Sequence, residues 1–311
     1  MDGFVNAATV RASARPRKKK MQLLFMALPL MALVILFNYV PLFGWIYSLF
    51  DYRPGISLWK CDFVGLEYFK LFLTDKYDMY RVMKNTIVFA LIGYLVSPLP
   101  MLFAILLNEV KCAPYKKVVQ TISTMPNFVS WVIVYSLMFT IFSTDGLFNE
   151  ILMNMGLIER PTNVLADASA VYWFQTLLGQ WKNLGWSSIV YLAAISGIDQ
   201  EMYEAASIDG ANRLQSTWHI TIPSLMPTYI VLLLLSIGNF VSVGFDQYFV
   251  FKNNVTSVNI EVLDVYVYRI GLMNADYSYG VAIGIMKSVV SITLLFIANF
   301  ISKKVRGNSI F

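Results

Sequence analysis

The sequence has few of the side chains on which catalytic and metal-binding proteins depend. Its 311 residues contain one histidine, His219, and two cysteines, Cys61 and Cys112. Two cysteines cannot form a disulfide framework, and a single histidine leaves little material for a zinc or haem site. We therefore expect no catalytic residue, no metal site and no cofactor held by this chain.

Charged residues are also scarce. They make up 14% of the chain and apolar residues make up 57%, against roughly 25% and 45–50% in soluble globular proteins. The charges cluster between long uncharged stretches instead of alternating with apolar residues. A soluble globule of this length needs more polar surface, so the composition indicates a membrane protein.

Six long apolar runs dominate the sequence, and each can cross about 30 Å of hydrocarbon as a helix. They cover residues 21–48, 85–107, 118–142, 173–198, 229–251 and 280–301. The first run is too long for a cleaved signal peptide, and none shows the short alternating pattern of β-barrel strands. We predict an all-α, polytopic membrane protein with six transmembrane helices. It forms one membrane domain, 21–311, behind a basic tail, 1–20, and Pro98, Pro100 and Pro126 predict kinks in two of the spans.

The basic residues predict the orientation of these helices. Six lysines and arginines precede Met21, and Lys303, Lys304 and Arg306 follow the last span. An even number of spans places both ends on the same side, which the positive-inside rule makes cytoplasmic. The net charge of +5 is then an orientation signal, so we expect contact with membrane lipid and none with nucleic acid.

One predicted cytoplasmic loop, 199–226, departs from this charge rule. It holds four carboxylates, and Arg213 is its only arginine or lysine. The loop is also longer than the roughly 2 to 8 residues that usually join packed helices. A protein partner, and not lipid, should cover it.

The same loop has the signals of two short helices. The first covers 200–209 with Asp199 as its N-cap, and Gly210 breaks the chain after it. The second covers 211–220 and should stop at Pro223.

The loop also carries a spaced motif. Residues 204–210 read E-A-A-S-I-D-G, and after nine further residues 220–223 read I-T-I-P. This spacing resembles the inner-membrane permeases of binding-protein-dependent ABC importers, whose signature is E-A-A, three residues, G, nine residues and I-x-L-P. Ile222 replaces the usual leucine, a change of similar volume. The segments M-P-N-F-V-S-W at 125–131 and G-F-D-Q at 244–247 are similar to the LplB-type oligosaccharide and polysaccharide branch.

The resemblance implies a type I ABC importer permease with the MetI-like fold in a bacterial plasma membrane. In that family this loop is a coupling helix that sits in a groove of a cytoplasmic ATPase subunit, and small residues let its backbone approach the partner closely. The implied coupling residues are Glu204, Ala205, Ala206, Gly210, Ile220 and Pro223. The implied partners are an ATP-binding subunit dimer, a second permease that is commonly a different chain, and an extracellular sugar-binding lipoprotein.

The energy source is expected on a partner. The sequence contains no G-x-x-x-x-G-K-[ST] phosphate loop, so ATP and its magnesium ion belong on the separate ATP-binding subunit. The expected function is uptake of oligosaccharides or polysaccharide fragments by ATP-driven alternating access.

The last three spans carry polar and aromatic residues that suit a sugar path. Aromatic rings stack on the C–H faces of sugars, and polar side chains bind the hydroxyls. The candidates are Trp181, Lys182, Trp186, Tyr191, Asn239, Asp246, Gln247, Tyr248 and Lys287. Alternatives stay open, because aromatic residues also form interfacial belts, Lys182 suits snorkelling to the outer interface, and Lys287 with Asp246 suits an ion pair between helices.

Two other classes of membrane protein rank below the permease. An ion-coupled secondary transporter needs carboxylates near the middle of the membrane, and only Asp246 approaches such a position. An intramembrane enzyme needs paired carboxylates, histidines or an activated nucleophile at membrane depth, whereas His219 lies in a predicted cytoplasmic loop.

Overall fold

A computed structural model describes residues 17–306 of the chain. Residues 1–16 of the predicted basic tail lie outside the described part of the chain. The first helix begins at Arg17, four residues before the predicted start of the span at 21. The α-helices in the described part are α1 Arg17–Val34, α2 Glu67–Thr74, α3 Asp78–Val96, α4 Leu99–Asn108, α5 Ala113–Thr124, α6 Trp131–Phe142, α7 Leu147–Asn154, α8 Val171–Ser196, α9 Gln200–Ile208, α10 Arg213–Ser216, α11 Ile222–Ile237, α12 Asp246–Phe251, α13 Ser257–Ile260, α14 Leu263–Tyr268 and α15 Tyr277–Arg306.

Shorter helical elements join these helices. Three π turns cover Ile35–Tyr39, Thr217–Thr221 and Arg269–Met273, and 3-10 turns cover Val40–Leu49, Leu58–Lys60, Met125–Phe128 and Val164–Ala166. The only β pairing within residues 17–306 is an isolated bridge between Phe50 and Phe63. The predicted all-α fold class is confirmed.

Five helical stretches of the described chain are long and apolar enough to cross a membrane, judged by length and composition. They are Leu24–Leu49, Asp78–Asn108, Trp131–Asn154, Arg213–Ile237 and Tyr277–Lys304. The predicted fourth span forms α8, whose 26 residues rise about 39 Å, but its glutamines, Lys182 and Asn183 lower its hydropathy. α8 tolerates these polar groups because it packs among α3, α4, α5 and α11.

Prolines divide the second and third spans, as predicted. α3 and α4 are separated at Pro98, and the 3-10 turn Met125–Phe128, which contains Pro126, separates α5 from α6. Proline has no N–H to donate and its ring clashes with the preceding turn, so a continuous helix is not formed. Both spans also begin earlier than predicted, at Asp78 and Ala113.

The predicted fifth span, 229–251, is not one helix. α11 ends at Ile237, residues 238–245 form a turn followed by an irregular stretch, and α12 begins at Asp246. Gly244 has a φ of +117° in this connection, a conformation that strongly favours glycine. The backbone conformation at Gly244 therefore interrupts the apolar run that the sequence presents as a single span.

Pro223 does not stop the second loop helix, contrary to the prediction. α10 continues through the π turn Thr217–Thr221 into α11, with Pro223 in the first turn of α11. A proline in the first turn of a helix costs little, and π turns commonly absorb irregular backbone bonding. The second half of the loop, from Arg213 onward, and the following membrane helix therefore form one continuous helical rod.

α8 makes a close contact with the end of α5. A Cβ atom added to Gly185 would lie 2.3 Å from the carbonyl carbon and oxygen of Ser123 and 2.5 Å from the amide nitrogen of Thr124. Only glycine permits this approach between the two helices. One turn earlier, Lys182 donates a hydrogen bond to the Asn127 carbonyl at 2.8 Å, so α8 is tied to the break between α5 and α6.

The segment between α12 and α15 is folded against α3. Its centre is Glu261, which is 2% exposed and forms ion pairs with Arg81 at 2.9 Å, Lys252 at 2.8 Å and Arg269 at 2.8 Å. Asp78 also pairs with Arg81, at 2.9 Å. We call these five residues the Glu261 cluster. It lies beside the start of α3, at the end of the molecule opposite the loop 199–226.

Candidate functional site

A cavity of about 580 Å³ lies between α3, α4, α8, α11 and α12. α8 contributes a face of residues spaced three or four apart, as a helix requires. Amides, hydroxyls and aromatic rings supply most of the polar lining, which comprises Tyr94, Ser97, Gln175, Thr176, Gln180, Asn183, Trp186, Ser187, Tyr191, Tyr229, Ser236, Asn239, Gln247 and Tyr248.

Five of the predicted path residues line this cavity. They are Trp186, Tyr191, Asn239, Gln247 and Tyr248. Gln247 also joins α12 to α8, because its Nε2 donates to the backbone carbonyl of Gln175 at 2.7 Å and to its Oε1 at 2.9 Å. The fold therefore brings these five residues to the wall of a single cavity. Their role in sugar binding stays a prediction.

The other four predicted path residues lie outside the cavity. Trp181 is 44% exposed on another face of α8, and Asp246 is exposed in the first turn of α12. Lys182 is buried, and its Nζ lies 5.3 Å from the centre of the Trp131 ring as well as bonding to Asn127.

Lys287 forms its ion pair with Asp264 and not with Asp246. The predicted Lys–Asp pair between helices is therefore present, but its carboxylate is supplied by α14 and not by α12. Asp246, the carboxylate that an ion-coupled transporter would use, does not line the cavity.

Sequence reasoning missed several lining residues on α8, at the end of α3 and on α11. Gln180, Asn183 and Trp186 follow one another at intervals of three residues, and Gln175 lines the same cavity, so this set of amides is visible in the sequence once α8 is recognised as a buried span. Ser97 and Tyr229 share a hydrogen bond at 2.9 Å across the cavity wall. No local motif marks that pair, because its members are far apart in the chain.

The loop 199–226, which we call the coupling loop, has well-capped helices. The Asp199 side chain accepts from the Glu201 N–H at 3.0 Å, as predicted for an N-cap, and Asn212 forms a reciprocal capping box with Gln215. Gly210 adopts a φ of +80° between the two helices, where glycine is the favoured residue. The Tyr203 hydroxyl is bonded to Thr221 at 2.8 Å and holds α9 against the rod that leads into α11.

The outer face of the coupling loop exposes apolar side chains. Ile208 is 87% exposed, Leu214 76%, Trp218 66% and Met202 47%. Sequence reasoning had singled out the acidic and small residues of this loop but not these four. Apolar residues that are exposed together to water are typical of a surface that binds another protein.

The implied coupling residues divide between this face and its support. Glu204, Ala205, Gly210 and Pro223 are exposed, Ala206 is half-buried and Ile220 is buried. Ala206, Gly210 and Ile220 line a groove of about 310 Å³ on the loop. Within residues 17–306, Glu204 has no ion-pair partner, so its charge is free to meet another protein.

The fold and these two features define a polytopic helical membrane protein with a polar central cavity and a loop that exposes apolar side chains. Residues 97–307 match the family described as "Binding-protein-dependent transport system inner membrane component". The match covers more than half of the chain, and the chain belongs to this family of membrane permeases. Permease subunits of this family are not themselves catalytic.

Individual relatives agree with the family. The chain is 39% identical to the protein LplB of Bacillus subtilis (strain 168), over 94% of this chain and 92% of that protein. It is also 39% identical to the polygalacturonan/rhamnogalacturonan transport system permease protein YteP of the same strain, over 91% and 88% of the two chains.

A solved structure has the same fold. A chain in the crystal structure of a bacterial alginate ABC transporter, in complex with an alginate pentasaccharide-bound periplasmic protein, superimposes with a TM-score of 0.84. The two chains are 32% identical, over 94% of this chain and 98% of that one.

Proposed function

We propose that this chain forms one half of the membrane path of an ATP-driven importer of oligosaccharides. The observation that carries the proposal is that a single helix, α8, lines the polar cavity and leads directly into the coupling loop. A movement of the loop is therefore a movement of the cavity wall. The names of the relatives support a sugar as cargo, since they refer to polygalacturonan, rhamnogalacturonan and alginate.

The cavity has the side chains that a sugar requires. Trp186 offers a ring for the C–H face of a sugar, and Gln180, Asn183 and Asn239 offer amides that both donate and accept hydrogen bonds. The volume of about 580 Å³ falls within the range of small-ligand sites. A sister permease, opposite this wall, would complete the path.

The coupling loop is the docking surface for a cytoplasmic ATP-binding subunit. Its exposed apolar residues, Ile208, Leu214 and Trp218, would be covered by that partner, and Glu204 would pair with a basic residue there. ATP and magnesium are bound by the partner dimer. A loop with a cytoplasmic partner places both ends of the chain in the cytoplasm, in agreement with the basic residues that flank the spans.

At the opposite end, an extracellular sugar-binding protein delivers the cargo. The related alginate transporter was crystallised in complex with a periplasmic protein that holds an alginate pentasaccharide. The mechanism is alternating access: closure of the ATPase dimer moves the coupling loop, α8 and the rod α10–α11, and the cavity opens towards the loaded binding protein.

Replacement of Gly210 by leucine tests the coupling. Gly210 has a φ of +80°, so leucine strains the turn and places bulk at the docking surface. We expect the sugar taken up per ATP hydrolysed to fall about tenfold in proteoliposomes that contain the complete transporter. Gly156→Leu is the matched control, because Gly156 has a φ of +68° and lies in another loop. Normal coupling in Gly210→Leu would refute the proposed role of the loop.

A further inference from the structure

The polar side chains that face the central cavity are neutral. Gln180 and Asn239 have no protein hydrogen-bond partner for their side chains among the described residues, and both line the cavity. Asn183 uses its Nδ2 on the Gly179 carbonyl at 2.9 Å, which leaves its Oδ1 as an acceptor. An amide and a sugar hydroxyl match because each both donates and accepts, whereas a carboxylate only accepts.

Among the described residues no basic side chain lines this cavity, and several basic side chains on the surrounding elements are engaged elsewhere. Lys182, on α8, is 7% exposed and donates to the Asn127 carbonyl behind the helix. Lys287 is paired with Asp264. In the Glu261 cluster, Arg81, Lys252 and Arg269 surround one buried carboxylate. A carboxylate in the cavity would therefore lack the charge-assisted donors that stabilise an anion away from bulk water.

From this arrangement we infer that the wall formed by this chain is selective for neutral oligosaccharides, and that Asn183 and Asn239 determine this selectivity. The inference rests on the proposed sugar path and narrows its cargo to one chemical class. Alginate and polygalacturonan, the cargoes in the names of two relatives, are polymers of uronic acids. The chain would share the fold of those importers but differ from them in the charge of its cargo.

Direct binding to the assembled transporter tests the inference without the selectivity of the external binding protein. The complete transporter in lipid nanodiscs is titrated with tetrasaccharides and followed by saturation-transfer NMR. The neutral probes are tetrasaccharides of xylose, arabinose, mannose and glucose, and the uronate probes are tetragalacturonate and tetramannuronate. We expect at least one neutral probe to bind about tenfold more tightly than either uronate.

Asn183→Arg is the informative variant, because it adds a cation to an exposed position of the cavity wall. We expect it to improve uronate binding about tenfold and to weaken neutral binding. Asn239→Arg is a second such variant on a different element, and Asn183→Gln, which keeps the amide, is the control.

The outcomes separate the two levels of the proposal. Uronate binding by the wild type as tight as that of the best neutral probe, or no gain of uronate binding in either arginine variant, would overturn the selectivity while leaving the sugar path intact. If none of the six tetrasaccharides binds the wild type, the sugar path itself fails, and the proposed function fails with it.

Discussion

The two ends of the molecule, the Glu261 cluster and the coupling loop, differ in how far their charged and apolar side chains are buried and paired. At the Glu261 cluster, a carboxylate that is 2% exposed is surrounded by three basic side chains of the same chain. At the coupling loop, Glu204 has no ion-pair partner among the described residues, and Ile208 and Trp218 are 87% and 66% exposed. One end is complete within this chain and the other presents groups that need a partner.

This difference predicts that one end of the molecule contributes to folding stability and that the other contributes to contact with partner subunits. The buried Glu261 fixes the segment between α12 and α15 against α3, since its removal leaves Lys252 without an ion-pair partner among the described residues and leaves Arg81 and Arg269 with Asp78 alone. Within the described residues the coupling loop is held by its helix caps, by the hydrogen bond between Tyr203 and Thr221 and by an exposed ion pair between Arg213 and Glu109 at 3.9 Å. Substitutions at the first end should therefore affect folding, and substitutions at the second should affect assembly and coupling.

The largest effect is expected for Glu261→Gln. Breaking a buried ion pair typically costs about 3–5 kcal/mol, and the basic partners are 22–28% exposed, which screens part of this cost. We expect a loss of about 3 kcal/mol in the free energy of unfolding, measured by thermal or denaturant unfolding in detergent. Arg53→Ala, which removes an exposed ion pair with Asp51, is the control and should cost under about 0.5 kcal/mol. Similar losses in the two variants would contradict the contrast.

A smaller loss is expected for Gly185→Ala, midway between the two ends. The added methyl group would lie 2.3 Å from backbone atoms of Ser123, so α5 and α8 must separate. Overpacking of this kind costs about 1–3 kcal/mol. Gly284→Ala is the matched control, because nothing lies within 4 Å of its added Cβ, and unfolding experiments should show it to be neutral or slightly stabilising. An unchanged stability of Gly185→Ala would mean that the helices do not approach as closely as described.

At the coupling loop, Trp218→Ala should leave stability almost unchanged. An exposed substitution shifts the free energy of unfolding by no more than about 0.5 kcal/mol, but loss of an interface tryptophan costs about 2 kcal/mol of binding, or roughly thirtyfold in affinity. The affinity of the purified permease pair for its ATP-binding subunit measures this loss. Trp59 is 82% exposed at the other end of the molecule, so Trp59→Ala should bind the ATP-binding subunit normally. Equal losses of affinity in the two variants would contradict the difference between the two ends.

The smallest effect is a pH dependence confined to the Glu261 cluster. Burial alone would raise the pKa of Glu261, but the adjacent Arg269 and Lys252 outweigh it and hold the pKa below its ordinary value. The charged form therefore stabilises the folded state above the ordinary carboxyl pKa, and this stabilisation is lost as the pH falls through the lowered value. The wild type should lose more stability than Glu261→Gln on acidification below about pH 4. If the wild type and Glu261→Gln lose stability in parallel as the pH falls, the stabilising role of the charged Glu261 side chain is contradicted.

Local signals in the sequence predict much of the loop but little of the contacts between helices. The E-A-A-S-I-D-G motif, the Asp199 cap and the turn at Gly210 depend on neighbouring residues, and the structure has the cap and the turn at the predicted positions. The partner of Lys287 could not be predicted in the same way. Asp264, and not Asp246, meets it only because α14 folds back beside α15.

The average hydropathy of α8 likewise gives no sign that this helix lines the cavity. Its amides lower its hydropathy below that of a lipid-facing span, yet packing among four other helices makes those amides the lining of the cavity. The Glu261 cluster is invisible in the sequence for a related reason, since Arg81 and Glu261 are brought together only by the complete fold. The exposure of Ile208 and Trp218 likewise depends on which faces of α9 and of the rod turn away from the membrane domain.

Site-specific photocrosslinking from the two ends tests the account most directly. A benzoylphenylalanine in place of Ile208 and one in place of Tyr77 probe residues of similar exposure, 87% and 82%, at opposite ends of the molecule. In the assembled transporter, we expect a covalent adduct with the ATP-binding subunit from position 208 and none from position 77. An adduct from position 77, or none from position 208 in a transporter that still imports sugar, would contradict the account.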